Sequence, residues 1–337
     1  MSKTLNKKIL IITEAYEKTV NGVWTTLKST AIELRKMKYD VIFITPEKFK
    51  SIQCPTYQEL RIVLNPWKVG KMIESISPEY IHIATEGPLG YFAVKYCEKH
   101  GLKFNTSYHT KFPEYMNTRF SFIKADWIYN YLRRFHKNSN KVLVTTKSMK
   151  TELEEKYFKN LEVWGRGVDT NTFNSYHQRS NKLPILLYVG RISIEKNIEA
   201  FLSLDLPFNH TKVVVGDGPL LEHFKAKYPD VSFKGAKKNN QLPYYYATAD
   251  VMVFPSLTDT FGIVMIEASA CGTPVAAFPV TGPIDYIEQG VTGYMDSDLS
   301  IAIQECLKLS RRNCEIEASK YTWKECTKVF ERNLIEI

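Results

Sequence analysis

Residues 251–283 read VMVFPSLTDTFGIVMIEASACGTPVAAFPVTGP, and this stretch decides the fold. It opens with a β-branched and apolar run that stops at Pro255, a pattern typical of a buried strand. Residues 263–271 contain no helix breaker and precede Gly272, so they predict a short helix with a glycine C-cap. VAAF, residues 275–278, predicts the next strand. A strand, a helix and a second strand within about 30 residues indicate a βαβ unit with parallel strands.

The turn into the predicted helix is the part of such a unit that binds ligands. The N–H groups of Phe261, Gly262 and Ile263 have no helical acceptors, and the helix dipole adds partial positive charge there. Gly262 also lacks a Cβ atom, so an anion such as a diphosphate can come close to the backbone. We therefore predict an anion-binding turn at these residues.

Two carboxylates bracket the start of this helix. Asp259 precedes it and Glu267 lies one turn inside it, and each can accept two hydroxyl hydrogen bonds from a sugar or ribose diol. Their spacing says little by itself, because 36 of the 337 residues are acidic. The strand before the pair and the ACGTPVAA sequence after it make the pattern specific.

The complete stretch resembles the acidic-x7-Glu motif of the retaining glycosyltransferases of glycosyltransferase family 4. The variant TDTFG followed by PVTGP is similar to the bacterial branch that includes sulfoquinovosyl- and glucuronosyl-diacylglycerol synthases and mannosyltransferases. The family commonly has Glu at the first acidic position. Asp259 is shorter by one methylene, and this departure bears on how the donor sugar is held.

The resemblance implies an α/β architecture of two facing Rossmann-like domains, the GT-B fold. We expect an acceptor-side domain over residues 1–173, a nucleotide-sugar-binding domain over 183–318, and a helix over 319–337 that packs back on the first domain. The polar segment 174–182 is then the linker. It follows GRGVDTNTF (residues 165–173), of which GVDTNTF resembles the family motif at this place.

The composition fits a globular protein with two domains of ordinary size. The 337 residues are 44% hydrophobic and 24% charged. No run of about 18 apolar residues predicts a membrane span, and KKILIIT near the N-terminus predicts a first strand rather than a signal peptide. Six scattered cysteines without metal-ligand spacing predict reduced thiols and a cytoplasmic location.

The positive charge is concentrated in the first half of the chain. Residues 1–150 hold 25 Lys/Arg and 12 Asp/Glu, whereas residues 151–337 hold 20 and 24. The first half therefore carries +13 and the second −4, which predicts that the N-terminal half meets an anionic surface.

One segment, residues 117–141, interleaves basic and aromatic side chains on a predicted helix. Its cations are Arg119, Lys124, Arg133, Arg134, His136 and Lys137. This pattern favours peripheral binding to an anionic membrane, with aromatics at the interface. A core helix with a solvated basic face is an equal alternative. Nucleic acid is a third, but no nucleic-acid-binding module accompanies the charge.

Two positions in the N-terminal half are candidate site residues. Gly22 lies at the predicted start of a helix after the first strand. It either forms an ordinary tight turn or allows a phosphate to come close to the backbone. His109 follows a predicted strand at the edge of the sheet where open α/β sheets bind ligands, although a lone His is more often structural. The resemblance implies that the Gly22 loop faces the donor diphosphate and that His109 contacts the donor sugar.

The second domain begins with ILLYVGRISIEKN, residues 185–197. A buried strand delivers Arg191, and Lys196 follows five residues later. Two fixed cations at a strand end can neutralise a leaving diphosphate without a metal. The alternative is a solvated pair, but GR-x4-KN matches the diphosphate clamp of the family. GDGP, residues 216–219, supports a nucleotide-facing loop.

Asp296-Ser297-Asp298 has the spacing of an Asp-x-Asp metal motif. It directly precedes a predicted helix, so we interpret Asp298 as its N-cap and predict no metal site and no cofactor.

The resemblance implies a retaining glycosyltransferase that uses a UDP- or GDP-linked sugar as substrate. Glu267 would hold the ribose hydroxyls and Asp259 the sugar hydroxyls, while Arg191, Lys196 and the Gly262 backbone stabilise the leaving diphosphate. The predicted acceptor is a membrane glycerolipid, reached peripherally at the inner face of the membrane. A polysaccharide or other soluble acceptor, a nucleotide-sugar epimerase of the same fold, and a non-catalytic binding protein are the alternatives.

Overall fold

The computed structural model describes residues 6–17, 21–53, 61–119, 124–176 and 182–337. The chain divides into two compact units, each made of separate chain segments. Unit 1 contains Met1–Thr110, Asp126–Arg166 and Trp323–Ile337, and unit 2 contains Lys111–Ala125 and Gly167–Thr322.

Strands and helices alternate along most of the described chain. The strands are β1 (Lys8–Ile12), β2 (Asp40–Ile44), β3 (Ser51–Gln53), β4 (Arg61–Val63), β5 (Tyr80–Ile83), β6 (Asn105–Tyr108), β7 (Val142–Val144), β8 (Leu161–Val163), β9 (Ile185–Val189), β10 (Thr211–Val215), β11 (Ser232–Phe233), β12 (Val251–Phe254), β13 (Val275–Ala277) and β14 (Gly293–Met295). The α-helices are α1 (Gly22–Lys36), α2 (Val69–Ile76), α3 (Pro88–His100), α4 (Phe112–Arg119), α5 (Ala125–His136), α6 (Lys147–Glu155), α7 (Glu199–Leu202), α8 (Leu221–Lys227), α9 (Leu242–Thr248), α10 (Ile263–Ala270), α11 (Pro283–Tyr286), α12 (Leu299–Cys306), α13 (Arg311–Ala318) and α14 (Trp323–Arg332). Short 3₁₀ turns cover Pro46–Lys48, Pro66–Lys68 and Ile194–Lys196.

Each unit is built on a parallel sheet. The order is β2-β1-β5-β6-β7-β8 in unit 1 and β11-β10-β9-β12-β13-β14 in unit 2. Every pairing within these two sheets is parallel. A separate antiparallel ribbon joins β3 and β4. Two parallel α/β sheets of this kind confirm the predicted GT-B class.

The central strands are buried, which explains why apolar runs in the sequence predict them. Ile9, Leu10, Ile11 and Ile12 in β1 are all fully buried, as expected for a strand that helices cover on both faces. In unit 2, β9 lies between β10 and β12. The predicted helix over 263–271 is α10, and six consecutive residues from Met265 to Ala270 are buried. Most of residues 251–283 are therefore core structure, whereas Leu257 in the loop before α10 and Pro279 after β13 are exposed.

The domain boundaries differ from the expected 1–173, 183–318 and 319–337. Residues 167–173 belong to unit 2. Val168 forms a β-bridge with Thr322, and the ring centroids of Phe173 and Tyr246 lie 6.1 Å apart. The bridge keeps residues 319–322 in unit 2 as well. From Trp323 onward the chain belongs to unit 1, where Cys326 and Phe330 of α14 share a core with α1.

The predicted single helix over 117–141 is wrong. Residues 111–125, expected in the first domain, belong to unit 2 and contain α4, whereas α5 belongs to unit 1. Residues 120–123 lie outside the described part of the chain. Tyr115 explains the placement of α4, because its ring lies 6.0 Å from the ammonium nitrogen of Lys196. None of the helices described here is long and apolar enough to cross a membrane.

Candidate active site

The turn before α10 requires glycine at position 262. Gly262 has φ of +84°, in the left-handed region that side chains rarely adopt. A Cβ atom there would lie 2.8 Å from Cζ of Phe254 and 3.0 Å from Cε of Met265. Phe261 is buried beside it, and half-buried Ile263 starts the helix. The backbone at this turn is therefore fixed by the core beneath it.

Lys196 and Asp259 form an ion pair at the carboxyl ends of β9 and β12. The ammonium nitrogen lies 2.6 Å from Oδ1 and 2.8 Å from Oδ2 of Asp259, and the side chains are 22% and 14% exposed. Burial alone lowers the pKa of Lys196, but the Asp259 carboxylate and Tyr115 outweigh it, so the net shift raises the pKa. Lys196 is thus a permanent cation at neutral pH.

Arg191 follows β9 and is held through its backbone. Tyr188 donates a hydrogen bond from Oη to the Arg191 carbonyl at 2.6 Å. The guanidinium remains 25% exposed, with Nε 4.0 Å from Oε1 of Glu195. The loop that carries Arg191 lies directly on the GDGP loop, since a Cβ at Gly216 would be 1.8 Å from the carbonyl oxygen of Gly190. GDGP therefore shapes the site through close backbone packing.

Glu267 points away from solvent within α10. It is 6% exposed, and the Tyr246 hydroxyl donates to Oε2 at 2.9 Å. Burial raises the pKa of Glu267 to about 7, although the Tyr246 hydrogen bond lowers it in part. This carboxylate therefore changes charge near neutral pH, which makes it a candidate for ligand binding.

His109 lies at the end of β6 in unit 1 and is 8% exposed. Its Nδ1 is 2.8 Å from an Nη atom of Arg166, and its ring meets the Trp164 ring edge-on at 5.7 Å. Gly22 is the first residue of α1, and Asn21 caps that helix by accepting from the Val23 N–H at 2.8 Å.

Four charged candidate site residues belong to unit 2, and two of them, Lys196 and Asp259, form an ion pair. Arg191, Lys196, Asp259 and Glu267 all lie on or just beyond β9, β12 and α10. Gly22 and His109 belong to unit 1. Parallel α/β sheets bind ligands at the carboxyl ends of their strands, where this cationic and acidic cluster stands. Such a cluster can hold a diphosphate through the cations and hydroxyls through the carboxylates.

The sequence did not predict three residues that contact the candidates. Tyr246 contacts Glu267, Tyr115 lies beside Lys196, and Arg166 contacts His109. A buried Tyr usually finds a hydrogen-bond partner, so the tyrosine-rich segment LPYYYAT was a usable signal for Tyr246. For Arg166, the signal was an arginine directly before the GVDTNTF motif.

The capping interpretation of Asp298 is confirmed. Its side chain accepts from the Ser300 N–H at 2.8 Å, and Asp296 accepts from the Asp298 N–H at 2.9 Å. Both carboxylates therefore serve the turn that starts α12. Within the described ranges, no group of three or more His, Cys, Asp or Glu side chains is arranged to hold a metal ion.

Two family profiles match the chain one after the other. Residues 20–172 match "Glycosyltransferase Family 4" and residues 169–298 match "Glycosyl transferases group 1". With the two-sheet fold, these matches show a glycosyltransferase of the GT-B fold, in which a family 4-like domain is followed by a group 1 domain. It is an enzyme that uses a nucleotide sugar as its hexose donor.

Individual relatives agree with this assignment. The chain is 28% identical over 357 residues to the sulfoquinovosyl transferase SQD2 of Arabidopsis thaliana, covering 91% of this chain and 69% of that protein. It is 26% identical over 344 residues to the alpha-monoglucosyldiacylglycerol synthase of Streptococcus pneumoniae, covering 89% and 78%. The sucrose-phosphate synthase structure from Thermosynechococcus elongatus superimposes with a TM-score of 0.81 at 20% identity, covering 97% and 98%. This last similarity concerns the fold.

Proposed function

We propose that this protein is a retaining glycosyltransferase that moves a hexose from a UDP- or GDP-linked sugar to a hydroxyl group of a membrane glycerolipid. The observation that supports the donor site is the Lys196–Asp259 ion pair. Arg191 and Glu267 are the other two candidate residues at this end of the unit 2 sheet. The acceptor side rests on an aromatic and basic surface of unit 1 and on the diacylglycerol product in the name of the pneumococcal relative.

Charge assigns the roles within the donor site. Lys196 and Arg191 supply the positive charge that a leaving diphosphate requires, and preorganised charges of this kind stabilise a transition state strongly. The diphosphate competes with Asp259 for the Lys196 ammonium, which frees the carboxylate to accept hydroxyl hydrogen bonds from the sugar. Glu267, deeper in α10, accepts from the ribose hydroxyls.

The partners of the two carboxylates support a retaining route without a covalent intermediate. Asp259 is bound to Lys196, and Glu267 is bound to Tyr246. A covalent mechanism needs a carboxylate that is free to attack the anomeric carbon. In the proposed donor complex, the sugar hydroxyls occupy Asp259, and Tyr246 and the ribose occupy Glu267. In the proposed route, the acceptor hydroxyl instead attacks from the face that the nucleotide leaves, and the departing phosphate oxygen takes the hydroxyl proton.

Unit 1 offers a surface suited to a lipid interface. Its members, which we call the aromatic patch, are exposed by 37–66%: Tyr91, Phe92, Trp127 and Tyr131. The Tyr91 ring lies 5.7 Å from the Phe92 ring and 6.4 Å from the Tyr131 ring, so α3 and α5 share it. Aromatic side chains of this type favour the headgroup region of a bilayer.

The cations beside this patch are fewer than the sequence suggested. Lys124, Arg134 and Lys137 are exposed. Arg133 is engaged by the Lys156 carbonyl and by Asn130, and His136 is buried with Nδ1 2.8 Å from the Thr106 hydroxyl. The Arg119 side chain lies outside the described part of the structure. α5 therefore packs one face on the core and presents basic and aromatic groups outward, as expected for a core helix with a solvated basic face. We propose that the outward groups meet the membrane.

The function is tested by a product assay. Purified protein is incubated with UDP-glucose, UDP-galactose or GDP-mannose, each with diacylglycerol in mixed micelles, with a soluble glycan, or with no acceptor. We expect a glycolipid only with diacylglycerol, and its proton spectrum should show the anomeric configuration of the donor. Conversion of a donor without acceptor would indicate an epimerase, transfer to the glycan would indicate a soluble acceptor, and an inverted anomer would exclude the retaining mechanism.

Membrane binding is expected to depend on Lys124, Arg134 and Lys137. Each cation near an anionic surface contributes about 1 kcal/mol, so changing all three to Ser should weaken binding by up to about 10²-fold. Liposome flotation measures this, and binding should rise with anionic lipid and fall with salt because salt screens the attraction. The matched control changes three unit 2 lysines to Ser: Lys225, Lys234 and Lys238. Equal loss in both variants would mean that only net charge matters.

Activity is expected to persist in excess EDTA. Arg191 and Lys196 supply positive charge where a divalent ion would otherwise stabilise the leaving diphosphate. The initial rate is measured with EDTA, and again after Mg²⁺ or Mn²⁺ is restored. A rate that collapses in EDTA and recovers with a metal would contradict the metal-free proposal.

A further inference from the structure

Arg166 forms a hydrogen bond with His109 in which the donor and the acceptor can be assigned from their chemistry. The two nitrogens, an Nη of Arg166 and Nδ1 of His109, are 2.8 Å apart and both residues are buried. A guanidinium carries only donors. The imidazole Nδ1 must therefore be the acceptor, with its lone pair directed at Arg166. A neutral ring in that state carries its single proton on Nε2.

The guanidinium is itself held in place by the chain that follows β8. One Nη donates to the carbonyl oxygens of Trp164 and Gly165, both at 2.8 Å, and the group lies 5.2 Å from the Trp164 ring centre. Burial lowers the pKa of Arg166 to about 10, so it stays charged at neutral pH. A fixed cation thus faces Nδ1 permanently.

The other groups around His109 act in the same direction. Burial comes first in lowering the pKa of His109, followed by the Arg166 charge and then His82 on β5. His82 is itself buried, with Nε2 2.6 Å from the Ser107 hydroxyl, and burial lowers its pKa to about 3. On α14, Cys326 donates to the Gly165 carbonyl, and burial raises the pKa of its thiol to about 11, so it stays neutral.

We propose that Arg166 is a positioning residue that keeps the His109 imidazole neutral, with its proton on Nε2, during glycosyl transfer. This rests on the proposed function and on the contact between His109 and the donor sugar that the family resemblance implies. The sugar develops positive charge as the nucleotide leaves, as in other glycosyl transfers with oxocarbenium-like transition states. A second positive charge on His109 would oppose that step, whereas a neutral Nε2–H still donates a hydrogen bond to a sugar oxygen.

The tautomer is read directly by long-range ¹H–¹⁵N spectra of the full chain labelled at histidine. The His109 signal is assigned by its loss in His109→Asn. We expect an unprotonated Nδ1 and a protonated Nε2 that do not change between about pH 5.5 and 8.5, the range in which an ordinary imidazole titrates. An Nδ1-protonated ring, or titration within that range, would overturn the proposal. This measurement needs no substrate, so its outcome is independent of the proposed function.

Activity provides the second arm, measured as kcat at saturating donor. The wild type and Arg166→Lys, which keeps the charge, should have flat profiles at acid pH. Arg166→Gln removes the second of the causes that lower the pKa of His109, so that pKa should rise. The kcat of this variant should then fall about tenfold per pH unit below the pKa that the same spectra give for its His109, with little change in donor KM. A purely structural Arg166 would lower the melting temperature of the Gln variant and leave its pH profile flat, which would contradict the proposal. Full activity of His109→Asn would do so as well.

Discussion

Replacing Lys196 or Arg191 with Ala is expected to lower kcat by about 10²–10³-fold. This is the scale for removing one preorganised group that stabilises charge in a transition state. Lys196 is the stronger case, because it is held at 2.6 Å by Asp259 and its charge is permanent at neutral pH. Donor affinity should fall as well, since both cations face the diphosphate before and during its departure. Steady-state kinetics over a range of donor concentrations separates the two effects.

The matched control for these variants is Lys225→Ala. Lys225 lies on α8 of the same unit, is exposed, and pairs only with the exposed Glu222 in a salt bridge of the kind that contributes little. It should keep wild-type turnover. Thermal unfolding of each variant excludes loss of the fold as the cause. If both Lys196→Ala and Arg191→Ala turn over at nearly the normal rate, the diphosphate assignment is wrong.

Donor affinity is expected to fall about tenfold per pH unit below about pH 7. Only the ionised form of Glu267 accepts two hydroxyl hydrogen bonds, and its pKa in the folded protein is about 7. Calorimetric titration with UDP-glucose and GDP-mannose measures this, since their diphosphates do not titrate in that range. Glu267→Gln should bind about 10²-fold more weakly at pH 8, because a charged acceptor is lost, and should show no pH dependence.

Tyr246→Phe provides the discriminating variant. The Tyr246 hydrogen bond lowers the pKa of Glu267, so its removal should move the break in affinity to higher pH. Affinity that stays constant from pH 8 to about pH 5.5 in the wild type would contradict the assignment of Glu267 to the ribose.

The raised pKa of Glu267 also makes the stability of the folded protein depend on pH. Between the ordinary value of 4.5 and about 7, the unfolded chain ionises Glu267 while the folded protein keeps it protonated. The free energy of unfolding therefore decreases as pH rises through that window. Glu267→Gln removes this cost, which is on the order of 3 kcal/mol, and should raise the melting temperature at pH 8 more than at pH 4.5.

The sequence was most informative where one residue or one short run decides the structure. The βαβ unit at 251–283, the N-cap at Asp298 and the glycine at 262 were all predicted because strands, caps and tight turns carry local signals. The family resemblance added the identity of the site residues, and the site clusters four of them in unit 2.

Contacts between distant parts of the chain were not predictable. The Lys196–Asp259 pair joins positions 63 apart, and Arg166 reaches His109 across 57 positions. Many acids and bases could pair in a chain with 45 Lys/Arg and 36 Asp/Glu, and only the folded sheet selects the partners. The burial of His136 was missed for a similar reason. Helical spacing alone did not show which face of α5 meets Thr106 and which meets solvent.

The segmented make-up of unit 1 has a consequence for how the protein is made. Trp323–Ile337 completes unit 1, yet all of Gly167–Thr322 is translated before it. At roughly 5–20 residues per second, a ribosome needs about 8–30 s for that intervening stretch. During this interval the nascent chain carries the apolar surface that Cys326 and Phe330 later cover. Unit 2 can therefore mature first, whereas the core of unit 1 is complete only after the C-terminal segment has been made.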